Sequence, residues 1–361
     1  LIEDSTNKNN GQGPLLYLGH ADITSTSFDS LTFQNNKASI GGGAGIIITG
    51  VKSRISFRDL TFINNELAGE SGGAISLEYN EPAPTTVSFT NCFFSNNKAN
   101  GKPGGSISIN SPTTTLKLDE CVFDSLVEGA IPNLGGAIYV EKAANVTLDS
   151  CNFTNLRAQT NGTAIYFIEN VDTENDHLTI TNCQFTNCGD SQSQSVIFTS
   201  SDFLLYDQNS ISFSSETNYA RGIYAESSVN IEITNSNFTS CQSDSKGAGF
   251  AFNIGRKDLP TTIAFENVIF DECSSSSDGP STYYSYCQNE TYFKDVTFTH
   301  ITANKYIIGL EHPQNEDMPF NFTFSSCTFL QCQSTGNGGG IGLQANNLDY
   351  LIFDSCLFNE S

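Results

Sequence analysis

The sequence of 361 residues predicts an all-β solenoid, a parallel β-helix with about 12 coils of about 30 residues and three short strands per coil. A phenylalanine recurs at intervals of 25 to 32 residues, between short runs of alternating apolar residues, and paired glycines open the last run. No segment shows a sustained apolar period of 3.6 residues, so no helix is expected. The recurrent phenylalanines are Phe33, Phe62, Phe94, Phe123, Phe153, Phe185, Phe213, Phe238, Phe270, Phe298, Phe329 and Phe358.

The repeat is clearest in residues 86–107. Its first run alternates through Val87 and Phe89, its second run ends at the recurrent Phe94, and its third run follows Gly104 and Gly105. Alternation of period two indicates strands with one face inward. Each strand is expected to pair with its equivalent one coil on, which stacks the inward side chains about 4.8 Å apart.

Two features predict the corners between the strands. The glycine pair allows a positive φ and a close approach between the backbones of adjacent coils. Asparagines two residues after the recurrent phenylalanine mark a turn and are expected to form hydrogen-bonded ladders. These are Asn35, Asn64, Asn96, Asn155 and Asn187.

Two other repeat architectures fit less well. A β-propeller blade needs four strands in about 40 to 50 residues, and leucine-rich repeats need a consensus that is absent here. The repeat weakens in residues 202–225 and 273–310, which indicates either tolerated drift or a specialised face.

The chain is predicted to form a single β-helix domain over residues 1–361. Residues 1–14 are interpreted as the loop of an incomplete first coil, 15–358 as the repeats and 359–361 as an open C-terminal end. Neither end carries a cap, and together the two ends would complete one coil. Head-to-tail stacking of copies, or a place within a longer β-helix, is therefore expected.

The charge balance limits the function classes. A formal net charge of −23 argues against nucleic-acid binding, and no apolar run is long enough to span a bilayer. The carboxylates are interpreted as a solvated surface, with a weak surface calcium site as the alternative. No other cofactor is expected.

Seven Asn-x-Ser/Thr sequons and eleven cysteines favour an extracellular or cell-surface glycoprotein with N-linked glycans. We expect Asn161 and Asn289, in loops, to be the most accessible, and Asn152 and Asn237 to point outward beside inward phenylalanines. The sequon asparagines are Asn145, Asn152, Asn161, Asn237, Asn289, Asn321 and Asn359.

Ten of the cysteines occupy two repeated positions, and Cys287 stands apart. Six lie two residues before the phenylalanine and four lie three residues after it, so buried thiols are expected, with disulfides as the alternative. No Cys-x-x-Cys motif is present, which argues against zinc.

No catalytic motif is found, the five arginines are scattered, and the turn carboxylates recur with the repeat, so the protein is predicted not to be an enzyme. Four tyrosines should point outward from the third run, where their rings would be candidate sugar contacts. They are Tyr17, Tyr139, Tyr166 and Tyr224.

Two repeated motifs carry a family resemblance. Gly-Gly-Ala-Ile occurs at residues 72–75 and 135–138, and Phe-x-x-Asn begins at Phe33, Phe62 and Phe94. These resemble the repeats of chlamydial polymorphic outer-membrane proteins and related surface β-helix proteins. The resemblance implies a right-handed β-helix displayed at a cell surface, with adhesive use. The sequons and cysteine columns look more like similar surface proteins of single-celled eukaryotes.

Two function classes follow. The leading hypothesis is a non-enzymatic extracellular structural glycoprotein, a rod that stacks end to end into a surface filament or is part of one. The alternative is an adhesin or carbohydrate-binding β-helix, and a polysaccharide-degrading enzyme is less favoured. The expected partners are copies of the chain, the rest of a longer β-helix, or glycans, without nucleic acid or membrane insertion.

Overall fold

The computed structural model describes most of the chain. The described residues are 2–3, 16–19, 25–38, 44–49, 54–69, 71–78, 85–125, 131–143, 145–168, 176–189, 194–214, 220–228, 230–244, 246–253, 261–276, 280–286, 290–311, 320–335, 340–344 and 348–359. Asn289, Cys287 and most of the predicted first loop therefore lie outside them.

The described chain forms three long parallel sheets, which confirms the predicted parallel β-helix. Sheet 1 contains the first runs, sheet 2 the second runs with the recurrent phenylalanines, and sheet 3 the third runs. Sheets 1 and 3 have 12 strands each, whereas sheet 2 has 13, one more than the number of coils predicted.

Each strand pairs in parallel with its equivalent in the next coil. Sheet 1 comprises Ser25–Asp29, Arg54–Arg58, Thr85–Thr90, Thr114–Asp119, Asn145–Asp149, His177–Thr181, Phe203–Asp207, Asn230–Thr234, Thr262–Glu266, Glu290–Lys294, Phe320–Ser325 and Leu348–Asp354. Sheet 2 comprises Ile2–Glu3, Thr32–Gln34, Thr61–Ile63, Phe93–Ser95, Val122–Asp124, Asn152–Thr154, Gln184–Thr186, Ser210–Ser212, Asn237–Thr239, Ile269–Asp271, Thr297–Thr299, Thr328–Leu330 and Leu357–Asn359. Sheet 3 comprises Leu16–Gly19, Ile46–Thr49, Ile75–Glu78, Ile107–Asn110, Ile138–Lys142, Ile165–Phe167, Ser195–Thr199, Arg221–Glu226, Phe250–Asn253, Pro280–Tyr286, Tyr306–Glu311 and Ile341–Gln344.

Some coils also contain a fourth strand of two residues after sheet 2, which the three-strand repeat did not predict. These strands are Lys37–Ala38, Glu66–Leu67, Lys98–Ala99, Gln242–Ser243, Ser274–Ser275, Thr302–Ala303 and Gln333–Ser334. They form three small parallel sheets of three, two and two strands. The polar segment after the phenylalanine is therefore partly regular.

The asparagine turns are confirmed. Asn35 and Asn64 have φ near +56° and +54°, and the Nδ2 of Asn64 donates to the Oδ1 of Asn35 at 3.2 Å. A second, buried ladder lies one residue further along, where Asn65 donates to Asn97 at 2.9 Å. Amide ladders satisfy backbone groups at a corner that no strand covers.

The glycine corner is confirmed as well. Gly104 adopts φ of +72°, a region that L side chains rarely enter. Gly105 has no such φ, but a Cβ there would lie 2.1 Å from the carbonyl oxygen of Gly136 in the next coil. The first glycine of the pair makes the turn, and the second allows the backbones to meet.

The core consists of side-chain columns that run along the rod. Consecutive phenylalanines of sheet 2 stack with ring centroids 4.6 to 5.3 Å apart. Phe213, however, is not a member of this column, because the register pairs Phe185 with Ile211 and Ile211 with Phe238. The sequence offered both apolar residues in one short run, and the period alone selected the wrong one.

Tyr206 of sheet 1 compensates for the smaller Ile211. Its ring lies 6.5 Å from Phe185 and 5.8 Å from Phe238, so it fills the gap between them. The Tyr206 hydroxyl is fully buried and has no hydrogen-bond partner among the described residues. Burial raises its pKa well above the usual value for tyrosine.

The ten described cysteines are thiols, and nine of them are buried, which confirms the predicted burial. Cys92, Cys121, Cys151 and Cys183 occupy one column in consecutive coils. The Sγ–H of Cys121 donates to the carbonyl of Asp119 at 3.3 Å, and the others repeat this bond. These thiols behave as small buried apolar groups with a satisfied donor.

Candidate binding face on sheet 3

The outward column of sheet 3 brings all four predicted tyrosines into one line. Tyr139 pairs with Tyr166 in register, and Phe198 pairs with Tyr224. The remaining positions, in chain order, are Tyr17, Ile47, Ser76 and Ser108 before Tyr139, and Ala251, Tyr284, Gly309 and Gly342 after Tyr224. We call these twelve residues the outer column.

Four consecutive rings of the outer column form an aromatic stack. The centroids of Tyr139 and Tyr166 lie 5.6 Å apart, those of Tyr166 and Phe198 lie 4.5 Å apart, and Tyr224 meets Phe198 edge-on at 5.4 Å. Leu134 packs against the stack from a loop. The sequence analysis missed Phe198, although it occupies the equivalent position in its run.

The stack corrects the expectation that the four tyrosines are exposed. Tyr139 and Tyr166 are only 8% and 9% exposed, because their ring faces cover each other. Tyr224 is half-buried beneath the guanidinium of Arg221, which lies 4.9 Å from its ring centroid. Tyr17 alone is well exposed, at 56%, and its hydroxyl hydrogen-bonds to Thr49 at 3.0 Å.

The stack ends at Tyr139 because the next two positions of the outer column are Ser108 and Ser76. A groove of about 370 Å³ opens there, lined by residues of three consecutive coils. Its size lies within the usual range for small-ligand sites. The polar and charged side chains that line it include Glu78, Lys102, Ser108, Asn110, Tyr139 and Glu141.

Local structure explains how these side chains reach the groove. Glu78 pairs with Asn110 in register, so both leave the outer face at the same end of adjacent strands. The register then slips, and Asn110 pairs with Lys142 instead of Glu141. Glu141 is the extra residue of this bulge, a feature that re-aims side chains. Lys102 reaches the groove from the turn before the glycine pair.

Two largely buried polar residues of the groove wall have hydroxyls without a partner among the described residues. Ser108 is 4% exposed and Tyr139 is 8% exposed, yet within the described residues neither hydroxyl makes a hydrogen bond. Neither hydroxyl oxygen is among the enclosed, unpartnered atoms of the described residues, and both residues line the open groove. Both groups are therefore available to a ligand.

The charged groups of the groove do not neutralise one another. Glu141 is half-buried, and neither it nor Lys102 forms an ion pair with any residue that the structure describes. Glu78 is exposed and accepts a hydrogen bond from Ser76 at 3.0 Å. Burial, with the negative charge of Glu141 as the next cause, raises the pKa of Tyr139 to about 12. Tyr139 is thus a hydrogen-bond donor at neutral pH.

The sequon asparagines occupy varied environments. Asn152 and Asn237 are exposed beside the buried Phe153 and Phe238, as predicted, and Asn359 is exposed too. Asn161 was expected to be highly accessible but is half-buried, and its Oδ1 is enclosed without a partner in the described part. Asn145 and Asn321 are also half-buried, and Asn289 lies outside the described residues.

Two searches of the described residues gave negative results. No cluster of three or more His, Cys, Asp or Glu side chains in these ranges is placed to hold a metal ion, and a surface calcium site stays a prediction. The same ranges contain no helical segment with the length and apolar character needed to cross a bilayer.

The family of the chain follows from this architecture and one comparison. A family model for the right-handed β-helix region matches residues 106–298. Because the match covers more than half of the sequence, the chain belongs to the right-handed β-helix family. Comparison with curated proteins and with solved structures returned no match. The finer resemblance to polymorphic outer-membrane proteins stays a prediction.

Proposed function

We propose that this protein is a non-enzymatic, extracellular β-helix rod that binds carbohydrate in the groove beside Tyr139. The observation that carries the proposal is that two largely buried residues, Ser108 and Tyr139, line one open groove with hydroxyls that make no hydrogen bond within the described residues. A sugar ring offers hydroxyl groups to both, and its apolar edges suit a tyrosine ring. Asn110 adds an amide at the same wall.

The extracellular placement rests on the sequons. Exposed asparagines such as Asn152, Asn237 and Asn359 offer side chains on which an N-linked glycan meets no packed structure. Intact mass measurement of protein from a eukaryotic secretory host, before and after enzymatic removal of glycans, tests this point. An unchanged mass would contradict the glycoprotein assignment.

The binding proposal is tested by filling the groove. Ser108→Phe would continue the aromatic stack by one ring and occupy the space in front of Tyr139, so binding to an oligosaccharide identified on a glycan array should be lost. Ser88→Phe is the matched control, since Ser88 lies on sheet 1 and points away from the core. Thermal unfolding of both variants checks that the rod is intact, and Lys102→Ala perturbs the groove without adding bulk.

Two results would overturn this proposal. One is an array that shows no binding by the wild-type protein. The other is binding that neither Ser108→Phe nor Lys102→Ala changes in either direction. Shortened products after long incubation with the bound oligosaccharide would contradict the non-enzymatic part, because glycoside hydrolysis also uses two carboxylates.

A second candidate function, end-to-end assembly of the rod, has its own observation. Phe353 and Phe358 of the last described coil are 43% and 52% exposed, although each continues a core column. Phe353 stacks on Phe324 at 4.9 Å and Phe358 on Phe329 at 4.7 Å, so each presents its other face outward. A further coil, from the same chain or from a second copy, would bury both faces.

Light scattering over a range of concentrations distinguishes a second copy of the chain from a further coil of the same chain. Association that Phe358→Asp abolishes and Ser355→Asp leaves intact would support stacking of copies, since both residues lie in the last described coil. A single monomeric mass at every concentration would exclude it, and electron microscopy would then show isolated rods.

A further inference from the structure

The groove carries more negative than positive charge. Glu78 and Glu141 contribute two carboxylates, and Lys102 contributes one ammonium group. Of these, Glu141 is the most withdrawn from water, and within the described residues nothing pairs with it. A partly buried charge without a partner is unfavourable, so a cation that approaches Glu141 gains more than one at the open surface.

Glu141 and Tyr139 form one local unit on the floor of the groove. They lie on the same strand, two residues apart and on the same face, with the inward Val140 between them. Both side chains line the same groove. A ligand in the groove therefore meets the Glu141 carboxylate, which can accept a hydrogen bond from a charged donor, next to the neutral Tyr139 hydroxyl, which can donate one.

The charge of the whole chain acts in the same direction. A formal net charge of −23 repels polyanions and raises the local concentration of cations. Uronate or sulfated chains are therefore poor ligands for this groove. A bare divalent cation is also disfavoured, because Lys102 lines the same space and no third carboxylate of the described residues joins Glu78 and Glu141.

We propose that the groove is selective for a sugar residue that carries a protonated amine, with the amine on the Glu141 carboxylate and a neighbouring sugar oxygen accepting from Tyr139. This inference rests on the carbohydrate-binding function proposed above. Ser108 bonds a further hydroxyl of the same residue, and the space of two serine positions, about 10 Å along the rod axis, accommodates the ring.

The test compares three oligosaccharides of equal length by isothermal titration calorimetry: a glucosamine oligomer, its N-acetylated form and a galacturonate oligomer. The glucosamine oligomer should bind at least 10-fold more tightly than the N-acetylated form, a difference of about 1.4 kcal/mol, because only the free amine donates a charged hydrogen bond to Glu141. The galacturonate oligomer should not bind. This preference should disappear between about pH 6 and about pH 9, where such amines lose their proton.

Variants assign the effect to the groove. Glu141→Gln should abolish the preference for the amine, so that the two oligomers bind alike, and Tyr139→Phe should weaken both oligomers. Glu232→Gln is the matched control, since Glu232 is an exposed carboxylate on sheet 1. It should reproduce the wild-type preference at the same ionic strength.

The outcomes separate this inference from the function on which it rests. If the N-acetylated and the glucosamine oligomers bind equally tightly, and Glu141→Gln changes neither affinity, the inference is overturned while carbohydrate binding stands. An amine preference that Glu232→Gln also removes would reduce the effect to the general charge of the rod and overturn it as well. If no oligosaccharide binds at all, both proposals fail.

Discussion

The register of sheet 2 makes a sharp prediction for two neighbouring phenylalanines. Phe94 is 1% exposed and lies between Phe62 and Phe123 at 5.0 and 4.6 Å, whereas Phe93 points outward and is 37% exposed. Phe94→Ala should lower the free energy of unfolding by about 3 to 5 kcal/mol, since it leaves a cavity in a fully packed column. The loss of two ring contacts of about 0.5 to 1.5 kcal/mol each is part of that total.

Phe93→Ala is the matched control for the same chemical change one residue away. Its partial exposure limits the loss to about 1 kcal/mol. Urea unfolding followed by circular dichroism measures both variants, and the midpoints should be compared because a long repeat need not unfold in one step. Equal losses would refute the register, since a slip of one residue exchanges the two faces of a strand.

Further predictions concern the core and its charges. Tyr206→Phe should raise the midpoint of thermal unfolding, because it removes a buried hydroxyl that has no partner in the described part. Gly105→Ala should prevent folding or lower the yield of soluble protein through the clash described above, whereas Gly340→Ala, with open space around the added Cβ, should be neutral in the same expression assay. The nine buried thiols should resist a maleimide reagent until urea unfolds the chain, since burial raises the pKa of Cys188 to about 12. Hydrogen bonds from Asn182 and neighbouring side chains lower the pKa of Asp149, so its contribution to stability is present at neutral pH and lost as the pH falls through that lowered value; Asp149→Asn should flatten the acid limb of a stability–pH profile.

The repeat allowed most of the fold to be predicted, because the alternation of apolar and polar residues in each strand shows which face points inward. Alternation around Val87 and Phe89 identified the inward face, and the register of sheet 1 confirms it. The position of Phe213 could not be predicted in the same way. Ile211 and Phe213 are two residues apart and would both face inward in a strand, so only the pairing with adjacent coils decides between them.

The groove was harder to predict than the fold, because its side chains come from separate coils. Tyr139 was a candidate from its outward position, but Glu78 and Glu141 are more than 60 residues apart in the chain. The alternation of its own strand places Glu141 on the outer face, but the register shift beside it and the approach of Glu78 and Lys102 follow only from the pairing and the loops of the previous coils. The sequence analysis considered only the turn carboxylates that recur with the repeat, and so it missed Glu78 and Glu141, which share one groove.

A small side chain in a column of aromatic rings has opposite consequences inside and outside the rod. In the core, where Ile211 interrupts the phenylalanine column, Tyr206 from another sheet fills the space, since an interior void would forfeit packing on all sides. On the outer column, where Ser108 interrupts the aromatic stack after Tyr139, no ring of the described residues takes the missing place and a groove remains. An outer void can be filled by solvent or ligand and so places no comparable penalty on folding. A β-helix can thus acquire a cavity for a ligand by loss of one large outward side chain, and the hydroxyls of Ser108 and Tyr139 mark the place where we propose that this chain binds one.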